Sequence, residues 1–335
     1  MTTQEPLRVL VSRQARDKLA ADIARVLDTR PHALLTPDDP RAIDADVAFV
    51  SRDITGLSTK HQVLPATQQV YDLLRAAPRL RWVHIHSAGA DRPVYVELRQ
   101  RGVQVTTSSG ANAPVVAQTA LLGLLALARQ WPRLMVAQRE RRWAPLIATG
   151  LPRDLQGQTA VIVGWGPVGQ EIGRLLGALG LNVVVVRRQA GTSGPSGLRT
   201  IATAQLPEVL PDADWLVLAC PLTQETRGLV DARLLSLLPA HAGLVNVARG
   251  EVVDEQALIA ALQQHRLGGA CLDVFATEPL AADSALWDLP NVIVTPHSAG
   301  FSDGNEARVA GMFLDNLARW TAGQPLQNVV PRSPA

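Results

Sequence analysis

Aromatic residues are scarce in this 335-residue chain: tryptophan, tyrosine and phenylalanine together make up 4% of it. They are not interleaved with basic residues, so no stacking surface for nucleic acid is expected. No basic or acidic tract occurs. The net charge of +2 comes from scattered groups, with a pI near 8.8, and argues neither for nor against an anionic small molecule. Cysteine is limited to Cys220 and Cys271, each inside or at the end of an apolar strand pattern. They read as buried, inert thiols and fit a reducing cytoplasm. No metal site is expected. The N-terminal stretch MTTQEPLRVLVSRQ lacks a long apolar run after a basic start, so no signal peptide is expected. The most apolar segment, PVVAQTALLGLLALARQ, is short and interrupted by Gln118 and Thr119, so it is not read as a membrane span. There is no short-period repeat and no biased composition beyond a Gly/Ser/Thr loop at 191–197.

What is present is apolar mass and rhythm. Hydrophobic residues make up 47% of the chain, enough for two cores, and a prior of roughly 150 residues per domain agrees. Strand patterns LRVLVS (7–12), DVAFVS (46–51), LRWVHIH (80–86) and VQVTT (103–107) alternate with helical patterns. A second series follows: TAVIVG, NVVVVR, DWLVLAC, GLVNVA, ACLDVF and NVIVTP. This βαβ rhythm predicts an α/β protein with two doubly wound parallel sheets. The series breaks at 111–150, where a long apolar helix must be buried, between domains or in a dimer interface. The last helix, 306–325, has no strand after it, and packing back onto the first domain is its simplest fate. The division is therefore expected to be discontinuous. Residues 1–108 and 300–335 form a substrate domain, and residues 109–299, with an interdomain or dimerisation helix at 111–145, form a dinucleotide-binding domain.

The segment TAVIVGWGPVGQEIG carries Gly164, Gly166 and Gly169 as G-x-G-x-x-G between a strand and a helix, the context that gives the motif meaning. Gly164 permits the tight turn, Gly166 lets a pyrophosphate approach the backbone, and Gly169 lets helix and strand pack closely. The next strand of such a unit usually ends in an acid, about 20 residues on, that bonds the ribose 2′-OH. Here VVVVRRQ ends in Arg187 and Arg188. A guanidinium cannot accept from a hydroxyl but makes bidentate bonds to a 2′-phosphate, so NADP(H) is preferred and NAD(H) is the alternative cofactor. Stacking on the adenine is a second use for one arginine, and Thr192 and Ser193 are placed to add bonds. Three later strands each end in ionisable groups: Arg249 in GLVNVARGE, Asp273 and Glu278 in ACLDVFATEPL, His297 in NVIVTPHSAG. In open α/β sheets ligands bind beyond the carboxyl ends of strands, on the same edge as the glycine turn.

With these motifs in view, the chain resembles the D-isomer-specific 2-hydroxyacid dehydrogenases over nearly its whole length. GWGPVG, CPLTQETRGLV, NVARGEVVDEQAL, LDVFATEPL and LWDLPNVIVTPHSAG match that family's signatures in order and spacing. The resemblance implies a Rossmann-type coenzyme domain inserted in a flavodoxin-like substrate domain, and a homodimer. It implies that Arg249 holds the substrate carboxylate and carbonyl oxygen, that His297 is the general acid and base, and that Glu278 orients it. The loop HSAGAD implies substrate contacts at Ser87, Ala88 and Gly89. Cofactor contacts are implied at Gly164, Trp165, Gly166, Pro167, Val168 and Gly169, at Arg187 and Arg188, and at Cys220, Pro221 and Thr226. The remaining implied contacts are Val247, Ala248, Arg249, Asp273, His297 and Ala299, with Asp273 anchoring the nicotinamide amide. Chemically the set is coherent. Reducing a 2-keto acid puts negative charge on the carbonyl oxygen, which needs a proton donor titrating near neutrality and a guanidinium to polarise it. Holding both reactants between two domains would supply orientation and exclude water.

The chain departs from the commoner family pattern in three places. Arg187 replaces the acid. Pro167, which has no N–H, stands inside the glycine turn, compatible with the first position of a helix. Gln118–Thr119 stands where many relatives carry an acid and an aromatic or histidine. The expected activity is NADPH-dependent reduction of small 2-keto acids, of the glyoxylate reductase or hydroxypyruvate reductase kind. A dinucleotide-sensing corepressor, and a dehydrogenase of another small anion such as formate or phosphite, are the alternatives. Arg52 and Asp53, at a strand end, are candidates to line the pocket. Trp82, His84 and His86 alternate along a strand, so at most some of them reach it, and Trp143 is a candidate to reach across a dimer.

Overall fold

The computed structural model describes residues 5–59, 62–148, 150–189 and 197–331. Thr192 and Ser193 lie outside the described residues. The chain divides into two units, residues 1–111 with 302–335, and residues 112–301.

The first unit is built on a five-stranded sheet of β1 (Leu7–Leu10), β2 (His32–Leu35), β3 (Val47–Val50), β4 (Trp82–Ile85) and β5 (Gln104–Thr107). Its order is β2-β1-β3-β4-β5 and every pair is parallel, the flavodoxin-like order. β3 and β4 are buried at every position, as central strands with both faces covered must be, which is why they read as apolar runs. Local chemistry sets the helix starts. Ser12 caps the helix Arg13–Leu27 by accepting from Ala15 N–H at 2.9 Å. Prolines open the helices Pro65–Ala76 and Pro93–Gln100, where their missing N–H costs nothing.

The C-terminal helix Asn305–Thr321 packs back onto this sheet. Its Phe313 is fully buried and stacks on Phe49 at 4.5 Å between ring centroids, with Trp82 5.7 Å away. Val309 and Leu317 extend the contact toward Val9 and Val47. Trp82 and His84 belong to this core. The Trp82 indole donates to Thr106 Oγ1 at 2.8 Å, and His84 bridges Thr106 and Ser108 at 2.8 and 3.0 Å. Burial pushes the His84 imidazole down to about 3, so it stays neutral as a packing residue.

The second unit carries seven parallel strands: β6 (Thr159–Val163), β7 (Asn182–Arg187), β8 (Arg199–Ala202), β9 (Trp215–Leu218), β10 (Gly243–Asn246), β11 (Gly269–Leu272) and β12 (Val292–Val294). Their order is β12-β11-β10-β9-β6-β7-β8. The direction of winding reverses between β6 and β9, so the crevice at their carboxyl ends is where an open sheet of this kind takes a ligand.

The expected continuous helix at 111–145 is not observed. Two helices, Ala113–Ala128 and Trp131–Arg139, meet at a 71° bend. Gln130 takes a left-handed backbone with φ 53°, and Pro132 has no N–H to continue the ladder. The first helix buries Ala117, Ala120 and Leu124 against the sheet, and a Cβ on its Gly123 would sit 2.2 Å from Cys271 Sγ. Its other side is not buried within the described chain, since Leu122 is 66% exposed. Among the described residues no single helix is long and apolar enough to cross a membrane.

Phe313→Ala removes the ring that Phe49 and Trp82 both contact. It is expected to lower stability by about 3–5 kcal/mol, read as a lower urea midpoint with an unchanged m-value. Phe313→Leu is expected to cost about 1.5 kcal/mol or less.

Candidate active site

The glycine turn follows β6. Gly164 has φ 100°, and a Cβ there would lie 2.6 Å from the Cys220 backbone, so this turn packs directly on the end of β9. A Cβ on Gly169 would lie 2.1 Å from the Gly164 carbonyl oxygen, which is why the helix Pro167–Ala178 can approach the strand only with glycine there. Gly166 differs: a Cβ would meet no protein atom within 4 Å. Internal packing therefore gives no reason for glycine at 166, whereas a pyrophosphate approaching the backbone does, so the turn fits a dinucleotide. Trp165 lays its ring over Gly173, where a Cβ would be 2.5 Å from it, and Val168 packs against the core beneath. Arg187 and Arg188 are both exposed at the end of β7. The Arg187 carbonyl accepts from Thr203 Oγ1 at 3.0 Å, fixing the strand end. Thr226 Oγ1 donates to the Pro221 carbonyl and accepts from Thr223 N–H, both at 2.7 Å, closing the loop after Cys220. Burial pushes the thiols of Cys220 and Cys271 up to about 11 and 12.

The ionisable groups stand beyond β10, β11 and β12. Arg249 follows β10 on a turn that Asn246 holds: its amide donates to the Arg249 carbonyl at 3.1 Å and accepts from Ala248 N–H at 3.0 Å. Val247 N–H donates to Leu218 O at 3.2 Å, and the Arg249 guanidinium donates to the Ala248 carbonyl at 2.7 Å. Gly250 touches the next segment so closely that a Cβ would fall 1.8 Å from the Phe275 carbonyl carbon. That contact seats the Arg249 turn on the backbone leading to Glu278. Glu255 accepts from Ala276 N–H at 3.0 Å and pins the same backbone.

Glu278 Oε2 lies 2.8 Å from His297 Nδ1, and Glu278 Oε1 accepts from Phe275 N–H at 3.2 Å. Burial works to raise the Glu278 carboxyl, but the bond to His297, its charge, the Phe275 N–H and the charge of Arg249 outweigh it, and the carboxyl sits below its ordinary value. The His297 ring is half-exposed while Glu278 is largely buried. His297 has φ 50°, a left-handed backbone uncommon outside glycine, and its N–H donates to the Asp273 and Thr295 carbonyls at 2.9 Å. The buried Asp273 carboxylate accepts from Thr295 Oγ1 at 2.6 Å, Ser298 N–H at 2.8 Å and Ala299 N–H at 3.1 Å. Burial nevertheless raises its carboxyl above the ordinary value. Thus Arg249, Glu278, His297, Asp273 and Ala299 share one edge of the second unit's sheet. Asn246, Thr295 and Glu255 were not anticipated. Asn246 gave a signal, as a polar residue inside the apolar run GLVNVA.

In the first unit Ser87, Ala88 and Gly89 follow β4, with Ala88 exposed. Ser87 Oγ donates to the Gly89 carbonyl at 2.8 Å, and the Ser87 carbonyl accepts from Ser108 N–H at 3.1 Å. Among the described residues no three His, Cys, Asp or Glu side chains gather as for a metal ion.

Residues 121–299 match the model of the family described as D-isomer specific 2-hydroxyacid dehydrogenase, NAD binding domain. A glyoxylate reductase from Thermococcus gammatolerans is 33% identical over 296 residues, covering 85% of this chain and 81% of that protein. A crystal structure of a D-isomer specific 2-hydroxyacid dehydrogenase family protein from Aeromonas salmonicida superposes with a TM-score of 0.80 at 28% identity, over 98% of this chain and 100% of that one. An NADPH-dependent glyoxylate/hydroxypyruvate reductase from Sinorhizobium meliloti, crystallised with NADP and sulfate, gives a TM-score of 0.75 at 27% identity, over 97% and 98%.

Gly250→Ala must displace the Phe275 backbone and is expected to cost about 1–3 kcal/mol, measured as a lowered denaturation midpoint. Glu278 has a depressed carboxyl, so the stability it adds is present above the ordinary value of 4.5 and is lost as pH falls through its lower folded value. The stability difference between the native protein and Glu278→Gln is therefore expected to shrink as pH falls through the ordinary value of 4.5 toward the lower folded value. A difference already shrinking at pH 6 would contradict the assignment.

Proposed function

The chain belongs to the D-isomer specific 2-hydroxyacid dehydrogenase family, and we propose that it reduces small 2-keto acids, of the glyoxylate and hydroxypyruvate kind, to D-2-hydroxy acids with NADPH. The 2.8 Å contact between Glu278 Oε2 and His297 Nδ1 carries this reading. A carboxylate accepting from Nδ1–H orients the ring, so that Nε2 of the protonated ring can give its proton to the carbonyl oxygen of a 2-keto acid. A dinucleotide held at the glycine turn would, when bound, supply the hydride for carbon 2. Arg249 grips the planar carboxylate and polarises the carbonyl beside it, lowering the cost of charge on that oxygen. The N–H groups of Ala88 and Gly89, with Ser87, are assigned to substrate binding. Asp273 holds the His297 segment first. Its Oδ2 also accepts from Ala299 N–H at 3.1 Å and keeps acceptor capacity for the nicotinamide amide.

The glycine turn, with Trp165, Pro167 and Val168, is assigned to the pyrophosphate. Cys220, Pro221, Thr226, Val247 and Ala248 are assigned to the rest of the dinucleotide. Exposed Arg187 and Arg188 in place of an acid support selection of a 2′-phosphate, hence NADPH over NADH. Trp131 and Trp143, 52% and 94% exposed, give the second unit an apolar surface suited to a homodimer. Two unpaired thiols suit the cytoplasm.

Purified protein is expected to oxidise NADPH with glyoxylate or hydroxypyruvate, and NADH far more slowly. His297→Asn is expected to lower kcat about 10²–10⁴-fold; unchanged turnover would falsify its role. Replacing Arg187 and Arg188 by serine removes charge-assisted bonds and is expected to raise KM for NADPH by about tenfold or more. An unchanged KM would remove the arginines from cofactor selection.

A further inference from the structure

A cavity of about 520 Å³ opens in the second unit, lined by the amino ends of β6, β7 and β8 and by the segment that leads to β9. The glycine turn and the ionisable groups described above stand at the carboxyl ends of this sheet. β7 runs from Asn182 at the cavity to Arg187 at the far edge, a span of roughly 16 Å at about 3.3 Å per residue. The cavity is therefore separate from the candidate active site.

Its floor is apolar. Leu181, Val183, Val184 and Val209 are buried there, and Leu198 is partly buried. Its polar groups are Thr159, Asn182, Arg199 and Asp212. Asn182 Nδ2 donates to the Gly157 carbonyl at 2.9 Å, which leaves the amide oxygen to accept. Arg199 and Asp212 are exposed, and among the described residues no hydrogen bond or ion pair engages either charged group. Asp214, two residues on, is already satisfied. Its Oδ1 accepts from Arg153 and lies 2.9 Å from His241 Nε2, and its Oδ2 accepts from Thr159 N–H at 2.8 Å.

Strand order sets the two unpaired charges apart. Arg199 opens β8, Asp212 lies just ahead of β9, and β6 and β7 stand between those strands. Three strand spacings make roughly 14 Å between β8 and β9, a gap that the length of the arginine narrows. A cation and an anion thus border one apolar floor from different sides. A hollow of this volume, mostly apolar with a few polar groups at fixed places, has the form of a small-molecule site.

We propose that this cavity binds a short apolar peptide with free termini. Its carboxylate pairs with Arg199, its ammonium with Asp212, and its side chains cover the leucine and valine floor. A single α-amino acid carries both charges on one carbon and cannot span the two groups. A dipeptide separates them by a peptide unit, whose N–H suits the free oxygen of Asn182. The site does not depend on the reductase reading.

The test is isothermal titration of the full chain with L-leucyl-L-leucine, without and with saturating NADPH. Saturable binding of similar affinity is expected in both, because the cavity and the glycine turn lie at opposite edges. N-acetyl-leucyl-leucine lacks the ammonium, leucyl-leucinamide lacks the carboxylate, and L-leucine has its charges side by side. Each is expected to bind about tenfold more weakly or worse. Arg199→Gln is expected to weaken leucyl-leucine by about tenfold and to leave leucyl-leucinamide unchanged. Asp212→Asn is expected to weaken leucyl-leucine likewise and to leave the N-acetyl form unchanged, a pairing of variant and probe that a merely structural role would not produce. No binding of leucyl-leucine, equal binding of the capped forms, or loss of binding with NADPH would overturn the proposal. The ranking of probes on the native chain is itself diagnostic, so the test stands even where a variant does not fold.

Discussion

Asp273 sits at the carboxyl end of β11, 3% exposed, and its side chain and backbone together hold the segment 295–299. Its carboxylate collects the Thr295 hydroxyl and the Ser298 and Ala299 N–H groups, while its carbonyl takes the His297 N–H. A buried carboxylate is costly, as its raised carboxyl value records. Those donors offset the cost, and in doing so they bend the chain so that His297 adopts a left-handed backbone. The ring direction that brings Nδ1 to Glu278 follows from that bend. The Glu278–His297 contact is thus a consequence of one satisfied buried charge in the layer behind it.

Close backbone approach is the second constraint. Gly250 against Phe275, Gly164 against Cys220, and Gly169 against Gly164 are contacts where any side chain would collide. Each joins loops that leave neighbouring strands at the same edge. Gly250 couples the Arg249 turn to the Glu278 segment, and Gly164 couples the glycine turn to the end of β9. The edge is therefore rigid where the fold needs it. Gly166, which meets no protein atom, keeps the backbone open on the side a ligand would approach. The first unit follows the same logic with different chemistry. Its strand ends carry His86, whose N–H donates to the Val50 carbonyl at 3.0 Å, and the Ser87–Gly89 turn closed by Ser87 Oγ donating to the Gly89 carbonyl at 2.8 Å.

Much was legible in the chain before any coordinates. Fully buried parallel strands must be apolar runs, so β3, β4, β6, β7, β9, β10 and β11 stood out. The G-x-G-x-x-G placement and the charged groups at strand ends followed. The strands that did not stand out are β2 and β8, with sequences HALL and RTIA. Both are edge strands of four residues, partly solvated, and so carry mixed composition. The helix expected at 111–145 failed for a similar local reason: apolar content runs on past residue 128, but Gln130 and Pro132 break the hydrogen-bond ladder. Trp82 and His84 were open to a role in the pocket until the C-terminal helix, more than 200 residues away in sequence, was seen to cover them with Phe313.

By itself the sequence determined the fold class, the glycine turn between a strand and a helix, the arginines where an acid is usual, and the placement of Arg249, Glu278 and His297 after successive strands. These are matters of periodicity and of residue type at a fixed offset from a strand, which local sequence carries. Only the tertiary structure decided which groups are held and by what, such as Thr295 on Asp273 and Glu255 on Ala276. Such pairings depend on strand order and on the burial that results from it. Short-range pattern encodes neither, because a hydrogen bond between residues far apart in the chain exists only once the sheet has put them side by side.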